Sequence, residues 1–96
     1  MNSIVSTAEF SDWFDSLEDR TGKARIAARI AAAAAGNFGF CEPVGAGVSE
    51  MKIDFGPGYR LYFKRSGNVV YVLLCGGDKS TQKRDIKRAL KLAVQV

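Results

Sequence analysis

The stretch Glu50-Met-Lys-Ile-Asp-Phe-Gly-Pro-Gly-Tyr-Arg-Leu-Tyr-Phe-Lys64 decides how this chain is read. Met51, Ile53 and Phe55 alternate with Glu50, Lys52 and Asp54. After Gly56-Pro57-Gly58, Tyr59, Leu61 and Phe63 alternate with Arg60, Tyr62 and Lys64. Alternation with a period of two, interrupted by a Gly-Pro-Gly turn, predicts a β-hairpin. Successive side chains of a strand point to opposite faces. One face is therefore apolar, and the other carries Glu50, Lys52, Asp54, Arg60, Tyr62 and Lys64.

Outward from the hairpin, Ser66-Gly67-Asn68 makes a turn. Val69–Cys75 is a continuous apolar run, as expected of a strand that is central or covered on both faces. Gly76-Gly77 leads to a helix from about Ser80 to Val94, with Ile86, Ala89, Leu90 and Ala93 facing the core. Residues 36–48 read as a loop, punctuated by Gly36, Asn37, Gly39, Pro43, Gly45 and Gly47. Upstream, Ser6-Thr-Ala-Glu9 reads as a capping box with Ser6 as the cap. Phe10, Trp13, Phe14 and Leu17 follow at helical spacing. Thr21-Gly22 breaks this helix, and a second runs from about Lys23 to Ala35. Its smooth face is Ile26, Ala27, Ile30, Ala31 and Ala34. Ser3–Ser6 is a short first strand. The expected fold is α+β, ordered β-α-α-β-β-β-α, with a helical hairpin packed on a small, mainly antiparallel sheet.

The chain has 96 residues, enough for one domain spanning 1–96 with a single modest core. A hydrophobic content of 47% with 25% charge excludes general disorder. The formal net charge is only +4, but it is unevenly placed. Glu9, Asp12, Asp15, Glu18 and Asp19 crowd the first helix. Lys79, Lys83, Arg84, Lys87, Arg88 and Lys91 crowd the last around Asp85. Such asymmetry suits a polyanion: nucleic acid, anionic lipid or an acidic protein surface. Cys41 and Cys75 stand in no CxxC or CxxH pattern, and Cys75 reads as a buried free thiol. With no basic-then-apolar leader and no apolar stretch of about 20 residues, a cytoplasmic protein without a membrane span is expected.

Two clusters can carry chemistry. Taken alone, the charged hairpin face reads as solvated, as one side of an antiparallel sheet commonly is. The segment Asp78-Lys-Ser-Thr-Gln-Lys-Arg-Asp85, taken alone, reads as a helix cap with solubilising lysines. Brought to one side of the sheet, the two read as a phosphate-binding groove, helped by the free N–H groups of a helix start. Gly45-Ala-Gly47 does not continue into a dinucleotide loop. The chain has no histidine. That excludes a two-histidine ribonuclease mechanism and argues against a metal site or cofactor. RNA cleavage would then rest on arginine and lysine stabilising the phosphorane, with a lysine or carboxylate moving protons.

The quoted segments resemble the RelE/ParE superfamily of type II toxin–antitoxin toxins, and more closely its short HigB-like addiction-module killer proteins. The resemblance is carried by Phe10-x-x-Trp-Phe14, Ala24-Arg-Ile-x-x-Arg-Ile30, Pro43-Val-Gly-x-Gly-Val-x-Glu50, Lys52-Ile-Asp-Phe-Gly-Pro-Gly-Tyr-Arg-Leu-Tyr-Phe63 and Leu73-Leu-Cys-Gly-Gly-Asp-Lys-Ser-Thr-Gln-x-x-Asp-Ile86. It implies a RelE-like fold and a microbial, metal-independent endoribonuclease that cuts mRNA on the ribosome. It also implies inhibition by a cognate antitoxin, usually a helix-turn-helix protein, with a toxin–antitoxin heterotetramer as one arrangement. By position, Arg60 matches the family's phosphate-contacting arginine, Lys52 a basic position on the preceding strand, and Lys79 a basic residue after the last strand. Lys83 or Asp85 would handle protons, because the family's C-terminal tyrosine or histidine has no counterpart here. Tyr62, Lys64, Arg84, Lys87 and Arg88 complete the expected RNA contacts, and Glu50 replaces a second basic residue of some members. Two other readings stay open: a ParE-like gyrase inhibitor without catalysis, and a non-toxic binding module.

Overall fold

The computed structural model describes residues 1–68 and 70–96; the predicted strand's first residue, Val69, lies outside them. The elements run β1 (Ser3–Ser6), α1 (Ala8–Ser16), α2 (Arg20–Ala34), β2 (Cys41–Gly45), β3 (Val48–Ile53), β4 (Tyr59–Ser66), β5 (Val70–Asp78), a 3-10 turn (Lys79–Thr81) and α3 (Gln82–Ala93). The class is α+β as expected, but with one strand more. The strands form a single sheet in the order β1-β5-β4-β3-β2, with β1 parallel to β5 and the other pairs antiparallel.

The predicted hairpin is β3–β4, in the register Ile53↔Tyr59, Lys52↔Arg60, Met51↔Leu61 and Glu50↔Tyr62. Its apolar face packs under α1 and α2, where Met51, Ile53, Tyr59, Leu61 and Phe63 join Phe10, Ile26, Ala33 and Leu73. The opposite face is not left to solvent. The chain turns after β5 and lays α3 across it, forming a second core of Val48, Tyr62, Leu74, Cys75, Ala89, Leu92 and Ala93. β5 is thus covered on both sides, which explains its unbroken apolar run.

Four local expectations are corrected. First, residues 41–45 are the edge strand β2, not loop. Pro43 sits where a missing N–H is tolerated, since the edge pairs on one side only. Pairing with β3 makes this segment a strand; its own composition does not. Second, α1 is capped by Thr7, whose Oγ1 accepts from Phe10 N at 3.1 Å and donates to Leu74 O at 2.7 Å. Ser6 pairs with Ser11 instead, and Glu9 reaches away to Arg88. Third, the helix break falls at residues 17–19. Asp19 caps α2 through Gly22 N at 2.9 Å, so Thr21-Gly22 lies in the first turn of α2. Fourth, the buried line of α2 is Gly22, Ile26 and Ala33, while Ala27 and Ala31 are exposed.

Gly76 and Gly77 are strand residues, not a linker. A Cβ on Gly76 would overlap the Trp13 indole, and one on Gly77 would overlap the Asp85 carboxylate. The absent side chains let α1 and the start of α3 close onto opposite faces of β5.

Candidate functional site

The Gly56-Pro57-Gly58 turn closes one end of the hairpin, and a cleft of about 510 Å³ opens there. Its walls are Arg29 from α2, Phe40 before β2, Lys52 near the end of β3, Asp54 just past it, Arg60 at the start of β4, and Lys79 from the 3-10 turn. Four cations therefore face one carboxylate. Lys52 and Arg60 are cross-strand partners, which puts them side by side. Arg60 folds back over the turn: Nη1 donates to Gly58 O at 3.0 Å and Tyr59 O at 3.2 Å. Its Nε is buried without a partner among the described residues. Lys79 is brought in by the turn after β5, where its N–H meets Pro57 O at 3.4 Å.

Lys52 is anchored by two carboxylates. Its Nζ lies 3.1 Å from Glu42 Oε1 and 4.0 Å from Glu50 Oε1. Glu50 is 2% exposed and accepts from Tyr62 OH at 2.8 Å and from Gln82 Nε2 at 2.8 and 3.1 Å. A buried carboxylate is tolerable only with such partners. The Glu50–Tyr62–Gln82 group therefore joins the sheet, the start of α3 and the floor beneath Lys52.

The cleft does not stand alone. A depression lined by residues 79–84 shares Lys79 with it, and a third, lined by Lys83, Arg84, Lys87, Arg88 and Lys91, shares Lys83 and Arg84 with the second. The three make one continuous basic track from the hairpin turn along the outer side of α3. Lys83, Lys87 and Lys91 form no ion pair among the described residues. Arg88 is engaged by Glu9, with Nη2–Oε1 at 2.6 Å and Nε–Oε1 at 2.9 Å. That pairing, through its hydrogen bonds first, holds the Glu9 carboxyl below the usual carboxylate range. Arg84 Nε lies 3.5 Å from Asp85 Oδ1.

Lys52, Arg60 and Lys79 thus meet in one cleft, and Lys83, Arg84, Lys87 and Arg88 lie along the adjoining track. Three expected site residues lie elsewhere. Tyr62 is 0% exposed and is a core residue under α3, unable to touch RNA at the surface. Burial first, then the Glu50 hydrogen bond, raises its phenol far above the ordinary tyrosine range. Lys64 sits four residues past Arg60, about 13 Å along the strand. There its Nζ donates to Ala93 O at 2.9 Å and Val96 O at 3.4 Å, a cation closing the C-terminal end of α3. Asp85 is 7% exposed, accepts from Thr81 Oγ1 and rests on Gly77. It fixes the turn into α3 and is shut off from the cleft. Strand parity puts Tyr62 and Lys64 on the correct face, but α3 covers most of that face.

Two residues of the cleft, Arg29 and Phe40, are not among the expected site residues, although Arg29 lies within the Ala24–Ile30 motif. Arg29 looks like one charge on an alanine-rich helix. Its guanidinium bonds Lys52 O at 2.7 Å and Phe38 O at 3.1 Å, fastening residues 38–41 to the sheet. Phe40 stands in a segment that reads as loop. Thiol chemistry is disfavoured: burial pushes Cys75 up to about 12 and raises Cys41, so neither is a ready thiolate.

Fold and site together define a small α+β domain with a basic cleft and track at one end of a five-stranded mixed sheet. No family model matches the chain. An uncharacterized protein of Haemophilus influenzae (strain ATCC 51907 / DSM 11121 / KW20 / Rd) is 46% identical to it over 93 residues, spanning 97% of this chain and 94% of that protein. The chain belongs to the same family as that protein.

Proposed function

We propose that this chain is the toxin of a type II toxin–antitoxin module, a RelE-like, HigB-type endoribonuclease that cuts mRNA on the ribosome and arrests translation in the cytoplasm. One observation carries the reading: Lys52, Arg60 and Lys79, from three separate elements, line one cleft that runs into the basic track on α3. A cation-lined groove of this kind suits a phosphodiester backbone. Arg60 and Lys79 hold the scissile phosphate and stabilise the charge that builds on it in the transition state. Lys52, fixed by Glu42 and Glu50, supports the attacking side. Of the two expected proton handlers, Lys83 on the exposed start of α3 remains, because Asp85 is buried; it takes the proton of the attacking 2′-hydroxyl and returns one to the leaving 5′-oxygen. So sparse a site needs a substrate oriented for it, which the ribosome supplies. The proposed partner is a cognate helix-turn-helix antitoxin.

A second reading has one observation in its favour. With Tyr62 and Asp85 buried, the cleft is rich in phosphate-holding groups and poor in proton-transfer groups, as a gyrase-binding toxin without catalysis would be. Primer extension on transcripts after induced expression separates the two. Codon-positioned cuts that vanish with Arg60→Ala and weaken with Lys79→Ala are expected. Intact transcripts together with a DNA-damage response would overturn the ribonuclease reading in favour of the second.

A further inference from the structure

The sequence Phe38-Gly39-Phe40 places two like side chains in opposite surroundings. Phe38 turns inward, stacked on Phe63 at 5.4 Å and packed on Tyr71 at 4.7 Å between ring centroids. Phe40 turns outward and is 62% exposed. Gly39 makes the reversal: its φ is +64°, and a Cβ there would meet the Arg29 guanidinium at 2.7 Å. The backbone around Phe40 is fixed. Arg29 holds Phe38 O, Phe40 O accepts from Lys52 N at 3.1 Å, and Asn37 Oδ1 accepts from Gly39 N at 3.1 Å. A rigid base thus presents a flat apolar ring to solvent.

Burying a phenylalanine stabilises a fold, and Phe40 forgoes most of that gain. Its position shows what the ring can meet instead. It forms a wall of the cation-lined cleft, with Lys52 Nζ 5.2 Å from its centroid. An exposed aromatic ringed by cations suits a ligand that is both aromatic and anionic, which a single-stranded nucleotide is. An apolar protein partner would have to bury the neighbouring charges of Arg29, Lys52 and Arg60, at a desolvation cost.

Resting on the RNA reading of the cleft, we propose that Phe40 is the base-stacking platform of the site. A nucleobase lies against its ring, while that nucleotide's phosphates reach Lys52, Arg60 and Lys79. The contact selects single-stranded over double-stranded RNA, because a base within a duplex has both faces covered by its stacked neighbours. It does not choose among the four bases, since every base has one.

The test compares the full chain with its Phe40→Ala and Phe40→Trp variants on two probes: a short single-stranded RNA that resists cleavage through 2′-O-methyl groups, and inorganic polyphosphate of similar charge. Phe40→Ala is expected to weaken RNA binding by roughly 5- to 150-fold. Polyphosphate binding should change less than about twofold, since the cations are untouched. Phe40→Trp should match or exceed the parent on RNA. Equal RNA affinity of parent and Phe40→Ala, with Arg60→Ala still weakening it, overturns the stacking role and leaves the cleft reading standing. Parallel loss of both probes also overturns it, by showing that the ring merely props the cleft. RNA binding that is absent, or indifferent to Arg60→Ala, overturns the cleft reading and this inference with it.

Discussion

Tyr62→Phe separates a buried residue from a surface one. Tyr62 has 0% exposure, and its hydroxyl donates at 2.8 Å to Glu50, itself 2% exposed. Phenylalanine keeps the ring and its packing and removes one hydrogen bond to a buried carboxylate. Such charge-assisted bonds contribute about 1.5–3 kcal/mol. The Gln82 bonds remain, so the expected loss is about 2 kcal/mol, or a Tm lower by roughly 8–16 °C for a domain of this size. Urea denaturation and thermal melts measure it. A replacement at an exposed nucleic-acid contact would stay within about 0.5 kcal/mol. In a Glu50→Gln background the bond joins neutral groups, and the same change should cost only about 0.5–1.5 kcal/mol. The coupling is read from the double-mutant cycle. RNA affinity below the transition should not change. The pH dependence has a definite sign. The Tyr62 phenol is raised above its unfolded value of about 10, so its contribution is complete below pH 10 and is lost as the pH climbs beyond it. Tyr59, pushed up to about 12 mainly by burial, acts in the same direction. The alkaline stability loss should therefore be shallower in Tyr62→Phe than in the parent. An unchanged Tm joined to weakened RNA binding would refute the placement of Tyr62 in the core.

Gly77→Ala drives a methyl into the Asp85 carboxylate and should cost about 3 kcal/mol or prevent folding. The same change in an Asp85→Ala background should cost clearly less by urea titration, and an equal cost would show that the overlap is not the cause. Arg88→Ala should lower stability modestly at low salt and hardly at all in 1 M salt, because the Glu9 pair it breaks is largely exposed. Glu9's carboxyl is held below its ordinary value, so the pair's contribution is present above about pH 4.5 and fades as the pH falls through the lowered value. The acid limb of the stability curve should flatten in Arg88→Ala, and an identical limb would remove Glu9 from the account.

The repeating local pattern of this chain is legible in its amino-acid order. The alternation around Gly56-Pro57-Gly58 specifies the β3–β4 hairpin and its apolar face, and parity puts Lys52 and Arg60 on one face, where the observed register makes them neighbours. The spacing of Phe10, Trp13 and Phe14, and of Ala89 and Ala93, marks the buried sides of α1 and α3. Strand β2 is hidden because a Pro- and Gly-rich edge has little β propensity of its own and exists through its pairing with β3. The first helix cap is ambiguous by one residue because Ser6 and Thr7 both suit the role, and only the contact of Thr7 with Leu74 O chooses between them.

Local periodicity thus determined the β3–β4 hairpin, the apolar sides of α1 and α3 and the cations available to a site, because each depends on residues close in sequence. Only the tertiary structure decided which of those residues meet solvent. The return of α3 across the hairpin's second face buried Glu50, Tyr62 and Asp85 and drew Lys64 to a helix end. It left Lys52, Arg60 and Lys79 open where the sheet runs past the helix. A one-dimensional pattern tells which face a side chain takes, and long-range packing alone tells what covers that face.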